Sequence, residues 1–296
     1  MGQYHEGELE VQRRAGVAVN AERIGRSIHA TIPPLARQFA LERPFVVIGA
    51  GDADGRVWAS LLRGAPGFLT VPAEDRLHIA VRLDDDDPLA EALAGEADVG
   101  LLLIDPATRR RMRVNGRARP DGAAGLEITT REVYANCPKY IRPREVTLPG
   151  SATPPVRVGS SLDSGQMRRL AEADTLFLAT RHAAAGADVS HRGGAPGFVH
   201  VTAPDRLVIP DYSGNMMFTT LGNLAADPRA GLLLVDFEHG GTLQLSGRAR
   251  IEWDRSAVAA YEGAERVVEL TVDAVVEREG GGGVSRSSAD TRPPAR

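Results

Sequence analysis

The sequence predicts a mainly β protein with short helices, an α+β chain built from two small antiparallel barrels in tandem. The first observation is an internal repeat, because Gly-Ala-Pro-Gly-Phe at residues 64–68 returns at residues 194–198, an offset of 194 − 64 = 130 residues. Three further blocks return in the same order, and they lie at residues 75–77 and 205–207, 100–105 and 231–236, and 115–119 and 246–250. Four blocks at nearly constant spacing indicate two copies of a whole domain.

The second observation is the pattern inside each copy, where short runs rich in β-branched residues alternate with Gly-rich turns. Such short strands favour a small antiparallel barrel that closes on itself and leaves no exposed edge. In the first copy we predict strands at residues 45–49, 56–62, 68–71, 77–81, 99–104 and 111–120. In the second copy we predict them at residues 175–180, 187–191, 197–201, 207–210, 231–236 and 242–253.

Helices and linkers divide the chain further. We predict an N-terminal arm that packs on a partner, a first barrel, a second barrel and a disordered tail, at residues 1–30, 31–150, 151–278 and 279–296. Short helices are expected at residues 35–41, 88–94 and 129–134. A further helix is expected over residues 163–171, where the carboxylate of Asp163 suits an N-cap.

The composition argues against several classes of protein. The chain has 296 residues and a net charge of −4, so its overall field does not favour nucleic acid. No apolar run is long enough to cross a bilayer and the first residues do not resemble a signal peptide, so we expect a cytoplasmic protein without membrane contact. The single cysteine, Cys137, excludes an internal disulfide, and we predict no metal site.

Three local features each have two interpretations. The basic run at residues 109–113 is predicted to be a solvated hairpin rather than a phosphate-binding patch. The acidic run at residues 84–87 lacks the spacing of a calcium loop and is predicted to be a solvated turn that caps the next helix. Cys137 beside Lys139 is either a redox thiol or, as we prefer, a small buried side chain in a turn.

The two copies differ in polar residues that suit phosphate. The second copy has Ser-His-Arg-Gly-Gly at residues 190–194 and a hydroxyl-containing run at residues 217–223, whereas the first copy has neither. An arginine fork, hydroxyl groups, an asparagine amide and glycine-exposed N–H groups can together cradle a phosphate. The alternative is that Thr219 and Thr220 are strand residues, Asn223 is a helix cap and Arg192 is a surface cation.

The motifs of the second copy resemble a known family. Ser-His-Arg-Gly-Gly-x-Pro-Gly-Phe-Val at residues 190–199 and Pro-Asp-Tyr-x-Gly-Asn-x-x-Phe-x-Thr-Leu-Gly-Asn-Leu at residues 210–224 are similar to those of the pyridoxamine 5′-phosphate oxidase-related flavoproteins. The resemblance spans residues 174–253, and Asn-Cys-Pro-Lys-Tyr-Ile at residues 136–141 is also typical of the group. It implies tandem split β-barrels of the FMN-binding type, with FMN in a cleft between two barrels.

The resemblance also implies which side chains contact the cofactor. The expected cofactor-binding residues are Ser190, His191, Arg192, Phe218, Thr219, Thr220, Gly222, Asn223, Gln244 and Lys139. The chain departs from the family near Ala225, where the oxidase has a lysine, and at Asn223, which replaces a serine. A cation of the connecting segment, either Lys139, Arg142 or Arg144, is expected to compensate for the missing lysine.

The function implied is that of an FMN-dependent oxidoreductase, which transfers hydride or electrons between flavin and an unidentified substrate or redox partner protein. The alternative is a non-catalytic or redox-sensing protein that binds flavin, heme or deazaflavin and works with a separate reductase. We assign no catalytic residue, and the absence of the oxidase's C-terminal Arg-x-His run argues against pyridoxamine phosphate as substrate. The two barrels are expected to form an intramolecular pseudo-dimer, with a homodimer as the other arrangement.

Overall fold

The computed structural model describes residues 4–122, 125–146 and 155–280. Within these ranges the chain is mostly strand, in two antiparallel sheets with six short helices, and the predicted class of tandem split barrels is confirmed. Most of the tail predicted at residues 279–296 lies outside the described residues. Residues 147–154 of the segment between the barrels also lie outside them.

The two sheets have the same strand order. The first contains β1 (Phe45–Gly51), β2 (Val57–Arg63), β3 (Leu69–Ala73), β4 (Arg76–Ile79), β5 (Ala97–Asp105), β6 (Arg110–Asp121) and β7 (Gly125–Ala135). The second contains β8 (Val156–Gly159), β9 (Thr175–His182), β10 (Gly186–Gly193), β11 (His200–Ala203), β12 (Arg206–Tyr212), β13 (Arg229–Val235), β14 (Thr242–Glu252) and β15 (Ala264–Arg278). The order β2-β1-β5-β6-β7-β4-β3 corresponds strand by strand to β10-β9-β13-β14-β15-β12-β11, and β8 pairs with β15.

The helices are short and flank the sheets. They are α1 (Glu6–Arg14), α2 (Ala18–Gly25), α3 (Pro34–Leu41), α4 (Ser164–Glu172), α5 (Thr219–Ala226) and α6 (Arg255–Val258). The predicted helix after Asp163 is confirmed as α4, because the Asp163 carboxylate accepts from the Gln166 backbone N–H in a capping box. Among the described helices, none combines the length and apolar character needed to cross a bilayer.

Two predicted helices are wrong. Residues 129–134 belong to β7, where Ile128, Thr130 and Val133 suit a pleated strand that pairs along β6. Residues 88–94 form turns and a single 3₁₀ turn at Ala92–Ala94, a segment too short for an α-helix to gain stability.

Each barrel has its own core, and a third cluster joins them. On β1, Val46 and Ile48 pack inside the first barrel, whereas the alternate residues Phe45 and Val47 pack in the cluster that contains Phe177 of the second barrel. Successive strand side chains point to opposite faces, so a strand buried on both sides is apolar throughout. The inner strands of both barrels are therefore buried against each other.

Glycines allow the barrels to approach closely at two related places. A Cβ built on Gly100 would lie 2.5 Å from the Cα of Asp188, and one built on Gly231 would lie 2.6 Å from the Cα of Trp58. Gly231 follows Gly100 by 131 residues and Asp188 follows Trp58 by 130, so the two contacts are counterparts. The barrels thus pack about an approximate two-fold axis, and each presents its β6 or β14 strand to the other.

Candidate functional site

A pocket of about 140 Å³ lies between the barrels. The second barrel contributes β10, β12 and the start of α5, and the first barrel contributes β6 and the segment after β7. Six of the ten predicted site residues line this pocket, namely Lys139, His191, Arg192, Phe218, Thr219 and Thr220. Residues far apart in sequence therefore meet in one place, and they come from both copies of the repeat.

The pocket lining contains more cationic side chains than the nearby carboxylates pair with. Arg113 pairs with Asp188 at 2.9 Å and Arg192 pairs with Asp211, but no carboxylate of the described residues lies within ion-pair distance of Arg111. Arg111 instead donates to the Cys137 carbonyl at 2.8 Å. Burial, together with the charges of Arg113 and Arg192, lowers the pKa of Arg111 to about 9. A bound anion would relieve this repulsion, so the pocket favours an acidic ligand.

His191 is neutral in this environment. Its burial and the nearby guanidinium groups of Arg111 and Arg192 hold its pKa well below the ordinary value of 6.5. Its Nδ1 lies 3.1 Å from a nitrogen of Arg111, which is always a donor. His191 therefore accepts at Nδ1 and carries its proton on Nε2.

Helix α5 presents its N-terminus to the pocket. Phe218, which precedes the helix, has a left-handed φ of 62°, and no side chain caps the first turn. The first N–H groups of an α-helix have no intrahelical partner and lie at the positive end of its dipole. Thr219 and Thr220 place these donors in the lining, where they suit a phosphate or another anion.

The hydroxyl groups of this turn are already engaged, which differs from the predicted cradle. Thr220 Oγ1 donates to Asp188 at 3.1 Å, and the Tyr134 hydroxyl lies 3.4 Å from Thr219 Oγ1. The same Tyr134 hydroxyl lies 3.2 Å from Asp188, which Arg113 also contacts. The first barrel therefore holds the start of α5 in place through a buried polar network.

Sequence reasoning missed Arg111 and Arg113 as site residues. The interpretation of residues 109–113 as a solvated hairpin is wrong for both, since Arg113 is buried and Arg111 lines the pocket. The signal was present in the run, because Arg111 and Arg113 are two residues apart and therefore share one face of β6. Their role became visible only when the second barrel supplied Asp188 and His191 opposite them.

Four predicted residues lie outside the pocket lining. Ser190 is buried and donates to the Leu178 carbonyl. Gly222 and Asn223 face the N-terminal arm, and the Asn223 amide bridges Thr180 and His5. Gln244 donates to the carbonyl of Ala59 at 3.0 Å and to Ser60 Oγ at 2.8 Å, both in the first barrel.

The position of Gln244 follows from the approximate two-fold axis. Gln244 follows Arg113 by 131 residues, so it occupies on β14 the place that Arg113 occupies on β6. The side chains of Arg113 and Gln244 each point to the other barrel. Arg113 therefore reaches the pocket, and Gln244 reaches the region of the first barrel that is related to the pocket by the two-fold axis. Gln244 therefore does not line this pocket, whereas Arg111 and Arg113 do.

The equivalent region of the first barrel is closed by protein side chains. Arg278 pairs with Asp86, and Asp87 accepts from Ser60 at 2.7 Å, close to Gln244. Burial raises the pKa of Asp87. The predicted solvated acidic turn holds for Asp84, Asp85 and Asp86, which are exposed, and is wrong for Asp87, whose carboxylate contacts Ser60 and Gln244.

The connecting segment contributes one of its three candidate cations. Lys139 lines the pocket, whereas Arg142 donates to the Gly194 carbonyl at 3.1 Å and Arg144 pairs with Asp174. Cys137 is exposed, so the preferred interpretation as a small buried side chain is wrong. Its carbonyl, not its thiol, contacts the site, through Arg111.

The N-terminal arm packs on the second barrel of its own chain. Helices α1 and α5 touch backbone to backbone, since a Cβ on Gly222 would lie 2.6 Å from the Glu8 nitrogen. Gln12 donates to the Met217 carbonyl at 2.9 Å, just before α5 begins. Burial raises the pKa of Glu8, beneath α5, to about 8.

His5, Glu6 and His182 bring their ligand atoms within 4.8 Å of one another, a spacing that a metal ion could use. Both imidazoles are already committed, however. His5 and His182 each accept a backbone N–H at Nδ1, and at Nε2 they contact Asn223 and Glu6. With Nε2 protonated, neither ring has a free lone pair for a metal.

Comparisons with known proteins agree with this architecture. Residues 165–280 match the family model described as pyridoxamine 5′-phosphate oxidase. The search of curated proteins found no significant match. The matched residues include β10, β12 and α5, which supply the second barrel's part of the pocket.

Several solved structures match part of this chain. The HupZ protein of Group A Streptococcus is 13% identical with a TM-score of 0.33, and the match covers 41% of this chain and 100% of that chain. A Lactobacillus delbrueckii protein provisionally described as a pyridoxamine 5′-phosphate oxidase is 18% identical with a TM-score of 0.33, covering 39% and 93%. An FMN-binding protein from Syntrophomonas wolfei is 10% identical with a TM-score of 0.31, covering 38% and 84%.

The family model and the motifs at residues 190–199 and 210–224 fall on the same strands and helix. Residues 165–280, which contain most of the second barrel, are therefore similar to the pyridoxamine 5′-phosphate oxidase family.

Proposed function

We propose that the pocket receives the phosphate end of FMN and that the protein is an FMN-dependent oxidoreductase. The observation that carries this proposal is the unneutralised guanidinium of Arg111 beside the uncapped N-terminus of α5. The buried Nε atoms of Arg111 and Arg192 also lack hydrogen-bond partners, so donors remain for a ligand. These groups fit the phosphate of FMN, which is dianionic near neutral pH.

The proposed roles of the residues follow from their positions. Arg111, Arg192, Lys139 and the N–H groups at the start of α5 would hold the phosphate. The stacked rings of Tyr140 and Tyr212, whose centroids are 5.3 Å apart, form an aromatic part of the wall. When bound, FMN supplies reversible transfer of hydride or single electrons.

Heme is a poorer fit to these residues than flavin. The usual axial ligand of heme iron is an imidazole, but the lone pair of His191 on Nδ1 already accepts from Arg111 and its Nε2 is protonated. Flavin and deazaflavin nucleotides need only anion-binding groups and an aromatic or apolar surface. This favours a flavin-type cofactor for the pocket.

The experiment that tests the proposal is titration of purified, ligand-free full chain with FMN, followed by absorbance and fluorescence. We expect one FMN per chain, because the counterpart region in the first barrel is closed by Arg278, Asp86 and Asp87. Two FMN per chain, or none, would contradict the proposal.

A second measurement separates the enzyme from the alternative function. Under anaerobic conditions, an enzyme that takes electrons from NADH or NADPH is bleached by the nicotinamide alone. A flavin-binding protein that depends on a separate reductase is bleached only when that reductase is added, and this result would replace the oxidoreductase proposal with the alternative.

A further inference from the structure

Arg111 lines a second cavity in addition to the pocket between the barrels, which we call the cofactor pocket. This groove has a volume of about 560 Å³ and lies between α3 and the ends of β6 and β7. Its apolar surface includes Phe39 and Met112, which belong to the core of the first barrel, and Leu35, which is 84% exposed on its rim. The volume lies in the range of small-molecule sites, about 300–1,000 Å³.

The charged side chains of the groove all have one sign. Arg109, Arg110 and Arg111 line it consecutively, and no lining residue is an aspartate or a glutamate. Among the ion pairs of the described residues, none involves these three arginines. The guanidinium of Arg110 lies 4.9 Å from the centre of the Phe39 ring, so charge and apolar surface are adjacent.

An unsatisfied amide lies in the same groove. Asn136 lines it, and both the oxygen and the nitrogen of its side chain are buried without a hydrogen-bond partner. Buried amide groups in proteins are nearly always paired, and an exception calls for a partner such as water or a ligand. The Asn136 nitrogen can donate to the same anionic group that the arginines attract.

We propose that this groove binds a small amphipathic anion, an aromatic or branched apolar molecule that carries one carboxylate. The apolar body would rest on the exposed apolar side chains of the lining, Pro33, Leu35 and Pro138, and the carboxylate would meet Arg110, Arg111 and the Asn136 amide. Because Arg111 lines both cavities, the groove adjoins the pocket proposed for the FMN phosphate. The binding itself does not depend on flavin.

Three probes of one shape test the proposal by calorimetry on the full chain. They are 1-naphthoate, the uncharged 1-naphthalenemethanol and the cationic 1-naphthylmethylamine. We expect the carboxylate to bind at least about tenfold more tightly than the other two, because one charge-assisted hydrogen bond supplies such a factor. FMN binding is measured on the same samples by absorbance.

Exposed positions supply the variants. Arg110→Glu and Leu35→Glu each add negative charge at the groove, and both side chains are exposed, so the fold is retained. We expect Arg110→Glu to weaken the binding of 1-naphthoate by at least about tenfold. The matched control Arg168→Glu makes the same charge change on an exposed face of α4 and is expected to leave the affinity within about twofold.

Several results would overturn the proposal. Equal affinity for the three probes, or equal effects of Arg110→Glu and Arg168→Glu, would show that the groove does not recognise an anion. Displacement of 1-naphthoate by FMN, together with an affinity that Arg110→Glu leaves unchanged, would place the probe in the cofactor pocket instead. A dimer that Leu35→Glu dissociates, with no probe binding, would assign the groove to a second copy of the chain. Normal FMN binding in these experiments would leave the proposed function intact, and failure of FMN binding alone would leave the groove proposal intact.

Discussion

Glu8 makes folding stability depend on pH in a predictable direction. Its carboxylate is buried under α5, where it accepts from the His5 backbone N–H at 2.9 Å. Burial raises its pKa from 4.5 to about 8, with the charges of Glu132 and Asp188 acting in the same direction. The folded state therefore retains a proton that the unfolded state loses, and stability is lost as the pH rises from 4.5 through about 8.

The size of this effect follows from the rise in pKa. A rise of about 3.5, at about 1.36 kcal/mol per unit, corresponds to at most about 5 kcal/mol across the whole range. His5 acts in the opposite direction below pH 6.5, because burial lowers its pKa. Between pH 6.5 and 8 His5 does not oppose the effect of Glu8, and the expected loss of folding stability in this range is about 2 kcal/mol.

The variant Glu8→Gln tests this reasoning. Glutamine keeps an oxygen for the His5 N–H but carries no charge, so the loss between pH 6.5 and 8 is expected to disappear. Because α1 is terminal, the change is best followed by hydrogen exchange of the α1 amides, corrected for intrinsic rates. Glu10→Gln, on the exposed side of α1, is the control. Identical pH dependence in wild type and Glu8→Gln would refute the assignment.

Three further predictions concern packing and the choice of site residues. Gly222→Ala would place its Cβ 2.6 Å from the Glu8 nitrogen and is expected to cost about 1–3 kcal/mol in thermal unfolding, whereas Gly95→Ala, with open space around it, is expected to be neutral. Arg113→Met leaves Asp188 buried without its counter-ion and is expected to cost about 3–5 kcal/mol, with partial recovery when Asp188→Asn is added. Gln244→Ala is expected to keep FMN affinity within about twofold, since Gln244 faces the first barrel, and a larger loss would contradict the two-fold arrangement.

Periodicity and turn residues were sufficient to predict much of the fold. The apolar runs before and after the turn at residues 51–55 form the hairpin β1–β2, and Asp163 caps α4 as expected. The failures share a cause, which is competition between local and tertiary preferences. Residues 129–134 lack the Gly and Pro signals of a strand end, and only their pairing with β6 reveals that they are a strand.

The sequence predicted only those site residues that belong to contiguous motifs of the second copy. Arg192 and the residues around Thr219 belong to contiguous motifs, and they line the pocket. Arg111, Arg113 and Tyr134 come from the other copy, and their position depends on how two barrels dock. No pattern along one strand contains that information, because charge pairing across an interface is a property of the assembled barrels.

The most direct test of the central claim compares FMN with riboflavin, which has the same ring system but no phosphate. If Arg111 and the start of α5 bind the phosphate, the wild-type protein will bind FMN at least about tenfold more tightly than riboflavin. Arg111→Met is expected to reduce that preference strongly, whereas Arg168→Met is expected to leave it unchanged. Equal affinity of the wild-type protein for the two flavins would contradict the claim.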